Sequence, residues 1–297
     1  MRLLLCANPH SGGGAADPDA LADHLRALGA DVRRCDLADL GRPRAPLDAE
    51  RARALVDGAD RLVVAGGDGS IGLAAAAAAG ARVPLAVLPT GTANDFARAL
   101  DLPRELDAAC ALAVDADAPV RELDLAEADG RPFVNAASAG LAPEAARAAH
   151  PLKPRLGPLA YAVGALQAGV TGQPARCRVT VDGRLVFRGR AWQVVVANTG
   201  AFGGGAATGG ADPADGRLDV AIVPAGSRLA LVRRSWAMRR GRLVHEDAVV
   251  HVRGAAVTVQ LSTPAFNVDG EHCTMEGPAT TFTVHPGFVA VVVAHLD

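Results

Sequence analysis

The chain has 297 residues, half of them apolar, so it can bury one or two sizeable cores. A formal net charge of −2 and an aromatic content of 3% offer neither a basic field nor stacking platforms for bases, which excludes nucleic acid as a partner. Lys153 is the only lysine, and its surroundings, PLKPRLG, match neither a P-loop nor the strand lysine of a protein kinase. Any phosphate must therefore be held by backbone N–H groups, hydroxyls, Arg or a metal.

The five cysteines are scattered and odd in number, without a C-x-x-C pair, which predicts reduced thiols that serve mostly as small core residues. The N-terminal stretch MRLLLCANPHSGG turns polar too soon for a secretory signal, and no segment reaches the length of a membrane span. We therefore expect a cytoplasmic protein without a transmembrane segment, and any contact with the inner face of a membrane to be peripheral.

The first part of the chain alternates short apolar runs with helical stretches. The pattern predicts strands at 2–7, 30–37, 61–65 and 83–89, and helices at 16–29, 47–58, 71–79 and from about Asn94. Such alternation is typical of a parallel sheet covered by helices on both faces. We therefore predict an α/β domain over residues 1–123.

The remainder, residues 124–297, is rich in alternating apolar segments separated by Gly, Asp and Pro. VDGR at 181–184 is a hairpin turn signal between two of these segments. Two helical insertions are predicted at about 143–171 and 227–243. We predict a second domain built on antiparallel sheet, and a cleft between the two domains as the default binding site.

Three polar, glycine-containing loops directly follow predicted strands: NPHSGGG (8–14), GGDGS (66–70) and PTGTAND (89–95). Parallel strands of an open sheet end at one edge, so the three loops should meet in space. Glycines let backbone N–H groups approach phosphate oxygens, and the helix N-termini that follow favour negative charge. Asp68 and Asp95 would repel phosphates directly, which implies a bridging Mg²⁺.

The loop also contains an apparent dinucleotide fingerprint, because Gly67, Gly69 and Gly72 have G-x-G-x-x-G spacing. That fingerprint requires an acidic residue at the end of the next strand, about twenty residues on. Here the next strand ends in Pro89-Thr90-Gly91, and the loop follows the third predicted strand instead of the first. We therefore reject a Rossmann dinucleotide site.

The ordered set of motifs resembles the diacylglycerol kinase catalytic family, which includes bacterial lipid kinases and sphingosine kinases. The resemblance rests on NPHSG, GGDGS and PTGTANDFARAL, followed by FVNAASAGLAPEAA, LKPRLGPLAYAVGAL, NTGAFGGG, DGRLDVAIV and FNVDGE. It covers nearly the whole chain. GGDG alone is shared with NAD kinases and phosphofructokinases, so the specificity lies in the ordered set.

The resemblance implies an α/β N-terminal domain similar to phosphofructokinase that binds Mg-ATP, followed by a β-sandwich domain for the lipid acceptor. Asp68 and Asp95 would position the Mg²⁺. The resemblance places the following residues beside the nucleotide: Asn8, Pro9, His10, Ser11, Gly12, Cys35, Gly66, Gly67, Asp68, Gly69, Ser70, Ile71, Gly72, Thr92, Asn94 and Asp95. Cys35 stands where such kinases often have Thr.

Asp269 and Glu271 flank a glycine in FNVDGE. If this stretch is extended, both carboxylates project from one face and can reach an attacking hydroxyl. The resemblance favours Glu271 as the catalytic base, with Asp269 orienting metal or base. The alternative is a hairpin tip with solvated acids, as at VDGR.

A second carboxylate cluster lies in GADPADGRLD, which contains Asp212, Asp215 and Asp219. Its spacing does not fit an EF-hand, although oxygen ligands suit a hard cation. The resemblance implies a structural Mg²⁺ on the Asp215 side chain and the carbonyls of Asp212 and Arg217. The alternative is an acidic surface turn.

The basic stretch SRLALVRRSWAMRRGRL, residues 227–243, predicts a helix that offers Arg side chains to lipid phosphates. The alternative is a helix packed on its own domain with a solvated Arg face.

The chain departs from the family after GGDG. The family usually continues with Thr, Leu, Asn and Glu, whereas Ser70 is followed here by Ile71, Gly72 and Leu73. The loop after NTGAFGGG also lacks the usual proline-bearing stretch. These departures imply altered nucleotide affinity or lost activity.

We predict an ATP-dependent lipid kinase, with diacylglycerol as the leading acceptor and phosphatidylglycerol, a prenol or a sphingoid base behind it. The alternatives are an NAD kinase-like enzyme and a non-catalytic nucleotide or lipid sensor. A homodimer is also compatible with the sequence.

Overall fold

The computed structural model describes residues 1–11, 17–42, 45–46, 48–140, 172–202, 206–207, 210–227, 242–262, 265–274 and 277–294. Several predicted features lie outside these residues, namely Gly12, Lys153, the whole insertion at 143–171, and most of the basic stretch, 228–241. No helix among the described residues is long and apolar enough to cross a membrane.

The chain divides into two compact units. The first comprises Met1–Asn135, Pro213–Gly216 and Val284–Asp297, and the second comprises Ala136–Asp212 and Arg217–Thr283. The predicted domain boundary after residue 123 stays a prediction.

Five helices and eight strands of the described residues lie wholly within the first unit. Its helices are α1 (Pro18–Ala27), α2 (Ala49–Val56), α3 (Asp68–Ala81), α4 (Asp95–Ala99) and α5 (Leu106–Val114). Its strands are β1 (Arg2–Ala7), β2 (Asp31–Asp36), β3 (Gly41–Arg42), β4 (Ala45–Pro46), β5 (Arg61–Gly66), β6 (Leu85–Pro89), β7 (Val120–Ala128) and β8 (Arg131–Phe133). A short 3-10 turn spans Leu37–Leu40.

The described residues of the second unit form strands, with a 3-10 turn at Leu243–His245. The strands are β9 (Ala136–Gly140), β10 (Ala175–Val181), β11 (Arg184–Ala197), β12 (Ala201–Phe202), β13 (Ala206–Ala207), β14 (Leu218–Pro224), β15 (Val250–Gly254), β16 (Ala256–Leu261), β17 (Ala265–Val268), β18 (Glu271–Thr274) and β19 (Thr280–Val292). Residues of β19 from Val284 onward belong to the first unit.

The parallel sheet of the first unit has the order β6-β5-β1-β2. Alternate residues of β1 face two separate cores. Leu4 and Cys6 join the core that α3 covers, while Leu3 and Leu5 join the core that α1 and α5 cover. The sheet is therefore covered on both faces, as the sequence pattern predicts.

The second unit is an antiparallel sheet arrangement. β9 and β10 both pair with β11, β17 pairs with β9 and β18, and β16 pairs with β10. β14 lies between β11 and β15. Phe266 and Phe282 contact each other in its interior, with ring centroids 5.7 Å apart. The α/β fold with a β-sandwich-type second domain is confirmed.

Two of the five cysteines differ from the prediction of reduced thiols. Cys6 and Cys35 are directly opposite each other in the parallel register of β1 and β2, and the structure joins them in a disulfide. The prediction is wrong for this pair. The two cysteines are 29 residues apart in sequence, but the register of β1 and β2 brings their side chains together. Cys110 and Cys177 are free, buried core thiols as predicted, and burial raises the pKa of Cys177 to about 12.

Candidate functional site

The three predicted loops lie side by side at the carboxyl ends of β1, β5 and β6. The backbone N–H of Asn8 donates to the carbonyl of Ala65 at 2.8 Å, and that of Thr90 donates to Gly66 at 3.2 Å. The Asn8 side-chain amide donates to the Ser70 hydroxyl at 3.1 Å. The prediction that the loops meet is confirmed, and the reason is the adjacent placement of the three parallel strands.

The Asn8 loop is a tight turn closed by its own side chain. Asn8 Oδ1 accepts from the N–H of His10 at 3.0 Å, and the Asn8 carbonyl accepts from Ser11 at 3.0 Å. Pro9 and His10 are exposed at the tip, whereas Ser11 is buried. The described N–H groups of this turn, those of Asn8, His10 and Ser11, are therefore all donated within the protein.

The GGDGS loop is itself the first turn of α3. The sequence pattern predicts a helix from 71, but the helix begins at Asp68, with Gly67 as an extended N-cap residue. The predicted start is three residues too late because the apolar periodicity begins only at Ile71. The glycines at 66, 67 and 69 carry no such signal. The first-turn N–H groups and the helix dipole make this end suited to an anion.

Gly67 and Gly91 bring two of the loops into close contact. A Cβ atom added to Gly91 would lie 2.5 Å from the Cα of Gly67 and 2.7 Å from Oδ1 of Asn94. Backbone on one side and a fixed side chain on the other leave no room for it. Glycine is therefore required at position 91 for the loops to pack as they do.

We predict that Gly91→Ala lowers the free energy of unfolding by about 1–3 kcal/mol, which is typical of an overpacked site. Urea denaturation measures this change. Gly189→Ala is the control, because its added Cβ would meet only the ring of Phe187, at 3.3 Å. An unfolding midpoint unchanged by Gly91→Ala would show that the two loops can separate without cost.

Asp68 caps the N-terminus of α4 from a distance. Its Oδ1 accepts from the N–H of Phe96 and from the Asn135 side-chain amide, both at 2.9 Å, and its Oδ2 accepts from the N–H of Asp95 at 3.2 Å. Asn94, the residue at the N-cap position, makes no capping bond with its side chain. The Asp68 carboxylate is buried, and it replaces the missing local cap.

Asn94 adopts a left-handed backbone conformation, with φ of 49°. Its amide donates to the carbonyls of Pro89 and Gly91, both at 3.0 Å. Its Oδ1 atom and the hydroxyl oxygen of Thr90 are buried and have no hydrogen-bond partner in the described part of the chain. Buried polar atoms are rarely left this way, so this edge of the sheet fits a polar ligand.

Asp95 is the first residue of α4 and is 3% exposed. The Arg98 guanidinium lies 3.2 Å from its Oδ1 and also donates to the carbonyl of Ala93. Thr92 is exposed in the preceding loop. Asp68 and Asp95 are thus neighbours, since one carboxylate binds the backbone N–H of the other residue.

Gly72, which departs from the family pattern, contacts the backbone of β8. A Cβ atom at this position would lie 3.0 Å from the carbonyl oxygen of Pro132. Asp68 and Gly72 are four residues apart, so they share one face of α3. Both face the segment 132–135, which carries Asn135. The glycine lets this segment lie directly against the helix.

The FNVDGE segment forms the hairpin that was the alternative to an extended stretch. Asp269 and Gly270 form the two-residue turn between β17 and β18, with φ of 47° and 85°. These values match the Asp-Gly turn that the sequence VDGR also forms. Asp269 is buried, and its Oδ1 accepts from the N–H of Ala136 at 3.2 Å. Glu271 is exposed at the start of β18.

The predicted metal loop is held by Asp124, a buried residue of β7. Its N–H donates to the carbonyl of Pro213 at 2.7 Å, and its carboxylate accepts from the N–H groups of Gly216 and Gly287. Asp215 is exposed within this loop. Asp124 thus fixes the backbone on both sides of Asp215.

Asp219 does not belong to the carboxylate cluster in which the sequence places it. It is 1% exposed on β14, and its carboxylate contacts His251 at 2.6 Å and Arg253 at 3.1 Å. No group of three or more His, Cys, Asp or Glu side chains suited to a metal occurs among the described residues. The ligand set of Asp212, Asp215 and Arg217 stays a prediction.

Sequence reasoning missed Asn135, Thr90 and Asp124. Asn135 lies in FVNAASAG, but nothing in its spacing indicates a hydrogen bond to Asp68. Thr90 lies in PTGTAND, and nothing there indicates that its hydroxyl is buried without a described partner. Asp124 lies in VRELDLAEA, where polar and apolar residues alternate as in many strands, so the pattern does not mark it as a functional residue. Cys35, assigned to the nucleotide by resemblance, uses its sulfur in the bond to Cys6, so its place at the site stays a prediction.

Two family models match the chain. The diacylglycerol kinase catalytic domain matches residues 2–128, and the YegS C-terminal NAD kinase beta sandwich-like domain matches residues 135–293. A solved structure of a diacylglycerol kinase from Bacillus anthracis strain Sterne covers 98% of this chain, and 96% of that chain is covered, with a TM-score of 0.71 at 22% identity.

Curated relatives agree with these matches. A protein named "Probable lipid kinase YegS-like" from Pseudomonas fluorescens strain Pf-5 is 34% identical over 82% of this chain and 81% of its own length. The diacylglycerol kinase of Mycobacterium tuberculosis strain H37Rv is 30% identical over 91% of this chain and 88% of its own. The chain therefore belongs to the diacylglycerol kinase catalytic family, a family of lipid kinases, and is a phosphotransferase with an alcohol group as acceptor.

Proposed function

We propose that the protein transfers the γ-phosphoryl group of Mg-ATP to a lipid hydroxyl, with diacylglycerol as the leading acceptor and phosphatidic acid as the product. Relatives named diacylglycerol kinase support this acceptor. The observation that carries the proposal is the loop edge of the first unit. There a glycine-rich helix start lies beside two buried side-chain oxygens that have no hydrogen-bond partner among the described residues.

The phosphate chain of ATP fits this edge through backbone groups. First-turn N–H groups of α3 would bind phosphate oxygens, because no lysine is available in the described part of the chain. The Thr90 hydroxyl would donate one further hydrogen bond to a phosphate oxygen. Asn94 Oδ1 only accepts, so its partner would be a hydroxyl of the nucleotide or a water, and not a phosphate. The remaining predicted contacts, including Ser70, Ile71 and Thr92, stay predictions.

Asp68 and Asp95 fit a hard cation such as Mg²⁺, because carboxylate oxygens are its preferred protein ligands. When bound with ATP, Mg²⁺ neutralises charge that develops on the phosphates. A carboxylate has about four acceptor positions, and three backbone or amide donors already use three of those of Asp68. We therefore assign Asp68 chiefly to fixing α4. Asp95, whose Oδ1 lies 3.2 Å from the Arg98 guanidinium, is the second carboxylate proposed for the cation.

The reaction needs one base. The lipid hydroxyl oxygen forms a bond to the γ-phosphorus, the bond from that phosphorus to the β–γ bridging oxygen breaks, and ADP leaves. Glu271 accepts the hydroxyl proton in this proposal. Asp269, anchored to Ala136 through both backbone and side chain, holds the turn that precedes Glu271.

A transfer assay tests the proposed function. The purified protein is incubated with γ-labelled ATP and Mg²⁺, beside mixed micelles of diacylglycerol, phosphatidylglycerol, a prenol or a sphingoid base, or beside NAD. We expect label in phosphatidic acid. Label in NAD would overturn the lipid proposal, and nucleotide binding without transfer to any acceptor would indicate a sensor. Sedimentation of the same sample would show whether the predicted homodimer forms.

We predict that Asn135→Ala lowers kcat about tenfold, because Asp68 loses one of its three donors and holds α4 less firmly. A hydrogen bond to a charged group contributes about 1.5–3 kcal/mol, so stability should also fall. The concentration of Mg²⁺ that gives half-maximal rate should rise, which loss of stability alone would not cause. Gln173→Ala, at an exposed position, is the control. Unchanged Mg²⁺ dependence would remove Asn135 from the positioning role.

A further inference from the structure

Four arginines form one exposed face of the β10–β11 hairpin in the second unit. Arg176 lies directly opposite Arg190, and Arg178 lies directly opposite Arg188. All four are exposed, and the residues between them point to the other side of the sheet. We call these four residues the arginine face.

Like charges directly opposite each other destabilise a strand pair, so this arrangement needs a compensating partner. β10, β11 and β16 contain no Asp or Glu. On the other side of β10, Gln260 of β16 lies directly opposite Arg178, and Thr258 lies directly opposite Thr180. The sheet surface around the arginine face is therefore polar but not acidic.

Elsewhere in the described chain, arginines find acidic partners, as in the pairs Arg2–Asp60, Arg34–Asp19 and Arg98–Asp95. No ion pair between described residues includes a member of the arginine face. Nε of Arg190 donates to the carbonyl of Pro174 at 3.1 Å, and the backbone N–H of Arg176 donates to the Ser262 hydroxyl at 3.2 Å. The arginine face therefore has no anionic counterpart among the described residues, and its positive charge is open to an external anion.

An apolar side chain stands at the end of the same face. Leu185 lies opposite Thr180, which follows Arg178 by two residues on β10, and Leu185 is 51% exposed. Arg side chains bind phosphate oxygens, and an exposed leucine beside them suits the boundary between headgroups and acyl chains. Stacking of nucleic acid bases would require aromatic side chains, and this face has none.

We infer that the arginine face docks the second unit on an anionic phospholipid surface, with the guanidinium groups on lipid phosphates and Leu185 at the acyl boundary. The inference rests on the proposed function to the extent that a lipid acceptor lies in a membrane. It adds a surface that binds the bilayer itself, separate from any residue assigned to phosphoryl transfer.

Vesicle binding tests the inference. The full chain is sedimented with phosphatidylcholine vesicles that contain or lack phosphatidylglycerol, at low and at raised NaCl. Each basic residue near an anionic surface contributes about 1 kcal/mol, so Arg178→Gln/Arg188→Gln should weaken binding to phosphatidylglycerol vesicles about 30-fold. Binding should also weaken with salt. Leu185→Gln should reduce binding without changing its salt dependence.

The control is Arg51→Gln/Arg53→Gln on α2, which removes the same charge from exposed positions of the first unit. Equal loss in this control, equal binding of the unchanged protein to both vesicle types, or tighter binding to an RNA homopolymer would each overturn the inference. Failure of the transfer assay alone would sink the proposed function while leaving vesicle binding intact, so the two outcomes are distinguishable.

Discussion

Asp68→Asn should lower kcat roughly 100-fold or more and also destabilise the first unit. The carboxylate accepts three N–H donors, from Asp95, Phe96 and Asn135. An asparagine side chain has one acceptor oxygen, so its amide group would have to face a donor. Losing a hydrogen bond to a charged group costs about 1.5–3 kcal/mol, and misplacing a reacting group by about 1 Å can cost 100-fold in rate.

The measurement combines urea unfolding with transfer kinetics. Asp57→Asn is the control, because Asp57 is exposed at the end of α2. The capping role requires both a lower unfolding midpoint and a lower rate. A variant that unfolds like the unchanged protein and loses only its response to Mg²⁺ would show that Asp68 acts as a metal ligand alone.

The double variant Asp68→Asn/Asn135→Ala separates these roles further. Asn135 acts through Asp68, so its removal should cost little once the carboxylate is gone. The two effects should therefore be less than additive by about 1 kcal/mol or more in unfolding free energy, as expected for residues in direct contact. Full additivity would mean that the 2.9 Å contact between the two side chains has no energetic importance.

Much of the first unit follows from its sequence pattern. β1, β5 and β6 are apolar runs with short helical stretches between them, and parallel strands of this kind bring their following loops to one edge. The bonds that complete the edge do not follow. Asn135 reaches Asp68 across 67 residues of chain, and no spacing rule relates such distant positions.

The hairpin at Asp269 shows a different limit. Asp-Gly flanked by apolar residues is a strong two-residue turn signal, and Asp182-Gly183 forms the turn that this signal predicts. At FNVDGE the same signal predicts the observed turn, whereas the proposed chemistry favours an extended segment with both carboxylates on one face. The alternative of a solvated tip is also incomplete, because Asp269 is buried against Ala136 while Glu271 is exposed.

The altered sequence after GGDG has a packing counterpart. Gly72 costs about 1 kcal/mol of helix propensity relative to alanine, so a glycine there needs a reason. The carbonyl of Pro132 supplies one, because it would lie 3.0 Å from any Cβ at this position. The departure therefore adjusts how β8 and Asn135 meet α3, and the capping bonds of Asp68 are present despite it.

The second large effect is expected at Glu271. A base that accepts the hydroxyl proton contributes about 10²–10⁴ in rate, so Glu271→Gln should lower kcat about 10³-fold. The KM for ATP should stay nearly constant, since the nucleotide contacts proposed above all lie in the first unit. Stability should also be nearly unchanged, because Glu271 is exposed at the start of β18 and the turn before it is held by Asp269.

A matched control separates loss of the base from loss of one negative charge. Glu50→Gln, at an exposed position on α2, is the control for removal of one carboxylate. Equal turnover of Glu271→Gln and the unchanged protein would exclude Glu271 as the base. Asp269→Asn with a greater loss of kcat at unchanged stability would move that role to Asp269, because a residue that only holds the turn should affect rate and stability together.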